Sequence, residues 1–284
     1  MLVRRKIIFQ KTLKDKVKFE GIGIHFGKKT SVILHPWNKG IAFYINKEKI
    51  PLNPCTVGAS PGFTFLKKDN KVIYTLEHLL SALHGLEIDN VLIEVIGNEI
   101  PSLDGSAKKF VEEFEKVGFE YLEKEKKYLT LKEEFEICEK ESYIKLKPAS
   151  KFKIYYFLKP KRPLPKSVAQ NYFTYEHSIE NFKTLIAPCR TFCFKEDIEK
   201  IQAMGLGKGG NLNNTLVIEK NNTLNPPRNS YEPLGHKILD LMGDLYTLGH
   251  FIKAEIEAKN TYHILNISLV KKLYTFYFKE IVKK

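Results

Sequence analysis

Long apolar runs are missing from this 284-residue chain. No stretch approaches the ~20 consecutive apolar residues that a membrane-spanning helix needs. The basic N-terminus is followed only by Ile7-Ile8-Phe9, which is shorter than the apolar part of a signal peptide, about 7–15 residues. We therefore expect a soluble cytoplasmic protein without a transmembrane segment.

Cysteine is also scarce, with four residues in the whole chain and no C-x-x-C pair. Four cysteines in a chain of this length do not make a disulfide framework. This composition is consistent with a reducing compartment.

Arginine accounts for only five of the 46 basic residues, although the net charge is +13 and the isoelectric point is about 9.3. Such a charge suggests an anionic partner, and one hypothesis is a basic nucleic-acid-binding module with a ribosomal-protein-like fold. However, nucleic-acid readers rely on arginine for bidentate contacts. The lysines are also spread along the chain without an aromatic RNA-binding signature, so we expect no nucleic-acid partner.

The hydrophobic content of 43% is enough for a sizeable core. Strand-like and helix-like segments come in blocks rather than in strict alternation, which predicts an α+β fold. A Lys/Glu-dense stretch from Tyr121 to Pro148 begins as a linker, so we place a domain boundary near residue 126. The predicted domains are 1–126 and 127–284.

Three helices bear on function. One is predicted over Thr75–His84 with Gly85 as its C-cap, because leucines recur there at a spacing of three to four. A second begins near Gly235 and runs to about residue 256, with a strand at about 255–258. A third follows "TYHILN" and runs to the C-terminus. We interpret His84 and His250, near helix ends, as ordinary surface cations.

Two short patterns indicate metal chemistry. His236 and Asp240 in "HKILD" are four residues apart, which puts them on one face of a helix. Glu77 directly precedes His78 in "TLEHLL", an arrangement that supplies a carboxylate beside a possible ligand. Catalytic zinc needs three such ligands and one open position. Spacing alone does not distinguish these pairs from solvated ion pairs.

Five segments occur together along the chain in this order: TLEHLLSALHGLEIDNVLIEVIGNEIPSLDGS, IAPCRTF, GLGKGG, HKILDLMGDLYTLGH and YHILN. Over about Gln10–Leu273 the chain resembles the UDP-3-O-acyl-N-acetylglucosamine deacetylases, zinc amidases that commit Gram-negative bacteria to lipid A synthesis. The resemblance implies two layered α+β domains, each like domain 2 of ribosomal protein S5, with the active site between them.

The resemblance also implies roles for individual residues. One Zn²⁺ per chain would be held by His78, His236 and Asp240. Glu77 would be the general base for the attacking water, and His263 the general acid. Three further catalytic positions of the family match Thr191, Asp244 and Lys237. Thr191 would stabilise the oxyanion, Asp244 would lie beside the general acid, and Lys237 would contact substrate oxygens or phosphate.

Substrate contacts follow from the same resemblance. Phe192 should contact the sugar, His25 should border the nucleotide site, and Phe157 should stack on uracil. An insertion at about 198–217 should form the passage for the acyl chain, with the candidate lining residues Ile198, Ile201, Gly207, Gly210, Leu212 and Val217. The expected partner is therefore UDP-3-O-acyl-N-acetylglucosamine. We also expect a monomer that works near the inner membrane.

Three positions depart from the family pattern. Tyr262 stands where glycine usually precedes the acid histidine, Phe26 replaces a threonine, and Gly235 replaces an arginine. None removes a catalytic group, but each is expected to reshape the rim of the cleft.

Overall fold

The computed structural model describes residues 7–279, which fold into a mixed α+β structure as predicted. Its helices are α1 Glu77–Gly85, α2 Lys108–Val117, α3 Ile179–Asn181, α4 Ile198–Ala203, α5 Glu232–Tyr246 and α6 His263–Tyr274. Shorter helical turns cover Lys166–Val168, Phe182–Ile186, Lys195–Asp197 and Thr275–Lys279. Residues 1–6, and residues 280–284 at the end of the predicted last helix, lie outside the described range.

Eighteen strands form the sheets among these residues. The first ten are β1 Phe9–Leu13, β2 Val17–Ile22, β3 Lys29–His35, β4 Ile41–Ile45, β5 Glu48–Pro51, β6 Val57–Ser60, β7 Phe63–Lys68, β8 Lys71–Tyr74, β9 Val91–Ile96 and β10 Phe119–Glu125. The others are β11 Tyr128–Thr130, β12 Phe135–Glu139, β13 Ser142–Pro148, β14 Phe152–Phe157, β15 Tyr172–Glu176, β16 Phe192–Phe194, β17 Leu216–Ile218 and β18 Phe251–Lys259.

Each half of the chain builds its own sheets. The first half forms a five-stranded sheet in the order β2-β3-β9-β4-β5, the meander β6-β7-β8 and the pair β1-β10. The second half forms the sheet β12-β13-β18-β14-β15, with β11 beside β18, and the pair β16-β17. Over residues 7–279, no ladder joins a strand before residue 126 to one after it.

Two helices meet at the centre of the molecule. Every residue of α1 is buried, and α5 packs against α1 as well as against β14 and β15. Within α5, Lys237 alone is not buried. Helices buried on nearly all sides bring their polar residues into the interior, where these residues need specific partners.

Three local predictions need correction. The second predicted helix ends at Tyr246, because the chain reverses at Gly249 (φ 75°) and continues as β18. The segment GIAFYINKEKIPL (residues 40–52), whose sequence predicts a single strand, forms the hairpin β4-β5, whose turn has Asn46 and Lys47 at positive φ. Gly85 is the last residue of α1 rather than its cap, and a Cβ there would lie 2.1 Å from the Phe182 ring.

Over residues 7–279, no helix combines the length and the apolar character needed to cross a bilayer.

Candidate metal centre and active site

Three potential metal ligands converge where α1 crosses α5. His78 lies on α1, and His236 and Asp240 lie one turn apart on α5, with one ligand atom of each within 4.8 Å of the others. Asp240 Oδ1 is 3.4 Å from His236 Nε2 and 3.7 Å from His78 Nε2. The close crossing depends on Gly243, because a Cβ there would lie 2.0 Å from the backbone oxygen of Glu77.

The chemical state of this cluster suits a divalent metal. Burial lowers the pKa of His78 to about 3 and also lowers that of His236, so both imidazoles are neutral. His236 Nδ1 lies 3.2 Å from the carbonyl oxygen of Cys189, which can only accept, so Nδ1 carries the proton and Nε2 is free. Among the described residues, nothing hydrogen-bonds to the buried Oδ1 of Asp240, whereas its Oδ2 accepts from Lys237 (2.8 Å).

The groups around Asp240 determine its ionisation state. Burial opposes its ionisation, but the cationic groups around it, which include Lys237 and protonated His263, outweigh burial and hold its pKa well below the usual range. Two neutral imidazoles and one carboxylate, with a free oxygen, form the donor set of catalytic zinc sites. The residues present therefore fit Zn²⁺.

Glu77 lies beside the cluster at the first position of α1. Its Oε2 accepts the backbone N–H of Thr64 at 3.0 Å. Burial, with smaller contributions from Asp244 and Asp240, raises its pKa to about 8, although His263 opposes the shift. A buried carboxylate with this proton affinity can exchange a proton near neutral pH.

His263 opens α6 on the other side of the cluster. Its Nδ1 lies 2.8 Å from Asp244 Oδ2 on α5. Burial disfavours the imidazolium, but the carboxylates of Asp244 and Asp240 outweigh burial and raise the pKa of His263 to about 9. Protonated His263 can therefore donate a proton from Nε2.

These groups share one cavity of about 220 Å³. Its walls are Ile24, His25, Gly62, Thr75, Glu77, His78, Thr191, Phe192, His236, Lys237, Asp240, Tyr262 and His263. The site thus combines a possible metal, a possible base and a possible acid around one small space, which is the arrangement of a hydrolytic centre.

Two further cavities adjoin this one. An apolar passage of about 470 Å³ shares Ile24, His25, Gly62, Thr191 and Phe192 with it. A wider cleft of about 740 Å³ shares Lys237 and Tyr262 with it and adds Lys140, Lys159 and Lys161. The site therefore opens on one side to apolar surface and on the other to a lysine-rich cleft.

Comparison with known proteins identifies the family. Residues 10–275 match the family model described as UDP-3-O-acyl N-acetylglycosamine deacetylase. The chain belongs to this family. The UDP-3-O-acyl-N-acetylglucosamine deacetylase of Aquifex aeolicus is 40% identical over 268 residues, covering 93% of this chain and 92% of that protein. The similarly named proteins of Helicobacter pylori (35%; 92% and 90% covered) and Shewanella violacea (37%; 94% and 90%) are also similar.

In this deacetylase-family chain, most of the predicted site residues lie together. Asp244 lies behind His263, outside the cavity wall, and all six residues predicted for the acyl chain line the apolar passage. His25 lies between the passage and the catalytic cavity rather than at the lysine-rich cleft. Phe157 lines none of the three cavities, and its exposed ring packs on Tyr172 with centroids 4.6 Å apart.

Thr64 and Asn266 were not predicted from the sequence, and both donate to Asp244. Tyr262, expected at the rim of the cleft, forms part of the wall between the catalytic cavity and the lysine-rich cleft. Asn266 lies within the motif "YHILN", which was a usable signal. Thr64 has no such signal, because a threonine in a strand is ordinary.

The turn "SLDGS" holds the segment that carries Thr191. Thr191 N–H donates to the carbonyl of Gly105 (2.8 Å), where a Cβ would lie 1.7 Å from the carbonyl oxygen of Asn214. Next to it, Arg190 forms a buried ion pair with Glu232, in the first turn of α5 (2.8 Å). Thr191 is thus held close to the first turn of α5.

Proposed function

We propose that the protein hydrolyses the acetamide of UDP-3-O-acyl-N-acetylglucosamine, giving acetate and UDP-3-O-acyl-glucosamine, the committed step of lipid A biosynthesis. The observation that carries this proposal is the single cavity that gathers His78, His236, Asp240, Glu77 and His263. Membership of the deacetylase family, with relatives of that name at 35–40% identity, supports the substrate.

The cofactor of the proposal is one Zn²⁺ per chain, held by His78, His236 and Asp240. When bound, it would act as a Lewis acid that polarises the acetamide carbonyl and favours deprotonation of water and of Glu77. The neutral imidazoles and the unpartnered Oδ1 of Asp240 support this assignment.

The chain's own residues move the protons. Glu77 takes a proton from water as the water oxygen bonds to the acetamide carbon. The Thr191 hydroxyl donates a hydrogen bond to the oxyanion that forms. His263 then gives a proton to the amide nitrogen as the C–N bond breaks, while Asp244 keeps the imidazolium in place.

The neighbouring cavities accommodate the rest of the substrate. The acyl chain would lie in the apolar passage, where each buried CH₂ contributes about 0.8 kcal/mol. The diphosphate would lie in the lysine-rich cleft, where Lys237 connects it to the catalytic cavity. Phe192 would contact the sugar, and Phe157 would stack on uracil.

The fold belongs to the same proposal. Two domains, 1–126 and 127–284, would each have the layered architecture of domain 2 of ribosomal protein S5, with the site between them. The separation of the sheets at residue 126 supports this division. We also propose a cytoplasmic monomer near the inner membrane, and light scattering of the purified protein tests the monomer.

A deacetylation assay tests the proposed reaction. Purified protein should release acetate from UDP-3-O-acyl-N-acetylglucosamine, lose activity with a chelator and regain it with Zn²⁺. The wild type should purify with one Zn²⁺ per chain, and His236→Ala should purify without it. Metal-free, active protein would contradict the mechanism, and retained nucleic acid without turnover would favour the nucleic-acid-binding alternative.

Glu77→Gln tests whether Glu77 acts as the base without altering the proposed zinc ligands. The amide keeps the volume of the side chain but cannot take a proton, so kcat should fall about 10²–10⁴-fold. Zinc content, measured by mass spectrometry, should stay at one per chain because Glu77 is not among the proposed ligands. Activity near that of the wild type would exclude Glu77 as the base.

A further inference from the structure

Thr64 is fully buried in β7 and uses all of its polar groups near the site. Its backbone N–H donates to Glu77 Oε2 (3.0 Å), and its carbonyl oxygen accepts the N–H of Leu76, just before α1 (3.2 Å). Its hydroxyl lies 2.6 Å from Asp244 Oδ1 on α5, 180 residues further along the chain. One residue therefore contacts both the base and the partner of the acid.

The direction of the hydroxyl bond is fixed by its partners. An ionised carboxylate only accepts, so Thr64 donates to Asp244. The other oxygen of Asp244, Oδ2, accepts hydrogen bonds from His263 Nδ1 and Asn266 Nδ2, each at 2.8 Å. Among the described residues, Thr64 is the hydrogen-bond donor to Oδ1.

These bonds connect two groups that come from different halves of the chain. Glu77 follows β8, whereas Asp244 and His263 belong to α5 and α6. Amide hydrolysis needs the base and the acid at fixed positions around one carbon atom, and small displacements are costly in rate. A short bond to a buried carboxylate is suited to this task, because charge-assisted bonds are strong and directional.

We infer that Thr64 is a positioning residue that fixes the base Glu77 relative to the acid pair Asp244–His263. This inference rests on the proposed function, which supplies the roles of Glu77 and His263. Thr64 does not line the catalytic cavity, so it acts through these neighbours rather than on the substrate.

Thr64→Val tests the hydroxyl, because valine has nearly the same shape but no donor. We expect kcat to fall about 10–100-fold with KM within threefold of the wild type. Thr64→Ser restores the donor and should keep kcat within threefold. The matched control is Thr247→Val, because the Thr247 hydroxyl is also buried and donates to the backbone carbonyl of Asp244 (2.6 Å). It should keep kcat within twofold.

A second readout does not need turnover. The proton resonance of His263 Nδ1–H should shift in Thr64→Val and remain in place in Thr247→Val. If the wild type did not deacetylate the substrate, the proposed function would fail while this resonance still tested the contact.

The inference is overturned if Thr64→Val keeps kcat within threefold, or if Thr64→Ser loses as much as Thr64→Val. An equal loss of kcat in Thr247→Val would also overturn it, because any buried hydroxyl near Asp244 would then suffice. If Thr64→Val does not fold, Thr64→Ala replaces it, with an expected loss of at least fivefold in kcat and the same control.

Discussion

Three buried carboxylates lie close together at the site, and their hydrogen-bond partners distinguish them. Asp240 has an oxygen with no hydrogen-bond partner among the described residues, as a metal ligand requires. Both oxygens of Asp244 accept hydrogen bonds, which suits a residue that orients a histidine. Glu77 accepts one backbone N–H and lines the cavity, as a base requires. Residues of one chemical type thus differ through their surroundings.

The sequence predicts the members of the site better than their environment. The spacing of His236 and Asp240 indicates a shared helix face, and the family resemblance adds the residues that are distant in sequence. The burial of individual side chains could not be predicted from spacing or from the resemblance. His84 lies near a helix end, where exposure is usual, but α1 is enclosed on all sides and His84 is only 3% exposed. Its prediction as a surface cation is wrong, because burial lowers its pKa well below the usual value.

His84 should make stability depend on pH. Its ring lies among aromatic rings, with centroids 5.0 Å from Phe152 and 5.2 Å from Tyr246, and its Nδ1 has no hydrogen-bond partner among the described residues. Besides burial, the charges of His177 and Lys126 keep it neutral in the folded state. The unfolded chain binds a proton below about pH 6.5, so stability is lost as pH falls through this value, by up to about 1.4 kcal/mol per pH unit.

His84→Phe should remove this dependence while keeping the aromatic packing. Urea unfolding at pH 7.5 and 5.5, with chelator so that metal release does not contribute, should give a smaller loss for the variant than for the wild type. Equal losses in the two proteins would show that His84 does not titrate on unfolding.

At the scale of elements, helix positions were easier to predict than helix ends. The leucine spacing of α1 and the motif of α5 place both helices correctly. The residues after α5 were read as more helix, although Phe251–Lys259 alternates between buried and half-buried positions as a strand does. The contact between β14 and β18 decides their conformation, and a partner roughly 100 residues earlier in the chain leaves no local signal.

The crossing of α1 and α5 gives an element-scale prediction. Gly243→Ala would place a Cβ against the backbone of Glu77, which cannot move without moving α1. We expect a loss of about 1–3 kcal/mol in the free energy of unfolding, as for other overpacked contacts, together with weaker zinc binding because His78 is displaced. Denaturant unfolding and calorimetric zinc titration measure the two effects.

The control for Gly243→Ala is Ser268→Ala on the exposed face of α6, which should change stability by less than about 0.5 kcal/mol. Normal stability and zinc affinity in Gly243→Ala would mean that the helices can separate without harm to the ligand cluster.

At the scale of the whole molecule, the net charge of +13 first suggested nucleic acid, but many lysines pair with acids on the surface, such as Lys68 and Lys71 with Glu48. The apolar passage is more informative than the charge. Its lining comes from the first half through Ile24, His25 and residues 61–62, and from the second half through residues 191–224. The passage therefore exists only when both halves are assembled, which a scan of local sequence patterns cannot detect.

A larger side chain in this passage should raise KM for substrates with a long acyl chain but not for those with a short one. Ile201 lines it from α4, and the larger Ile201→Trp side chain should occupy space that the end of a long chain would use. Displacing two CH₂ groups costs about 1.6 kcal/mol, so KM for a long-chain substrate should rise roughly 15-fold, with kcat little changed. KM for a short-chain substrate should stay within threefold, because a short chain does not reach the added ring. Ile96→Trp, on the exposed face of β9, is the matched control and should change neither KM. An equal rise in KM for both substrates would place the acyl chain elsewhere, since only a ring within the passage can distinguish long chains from short ones.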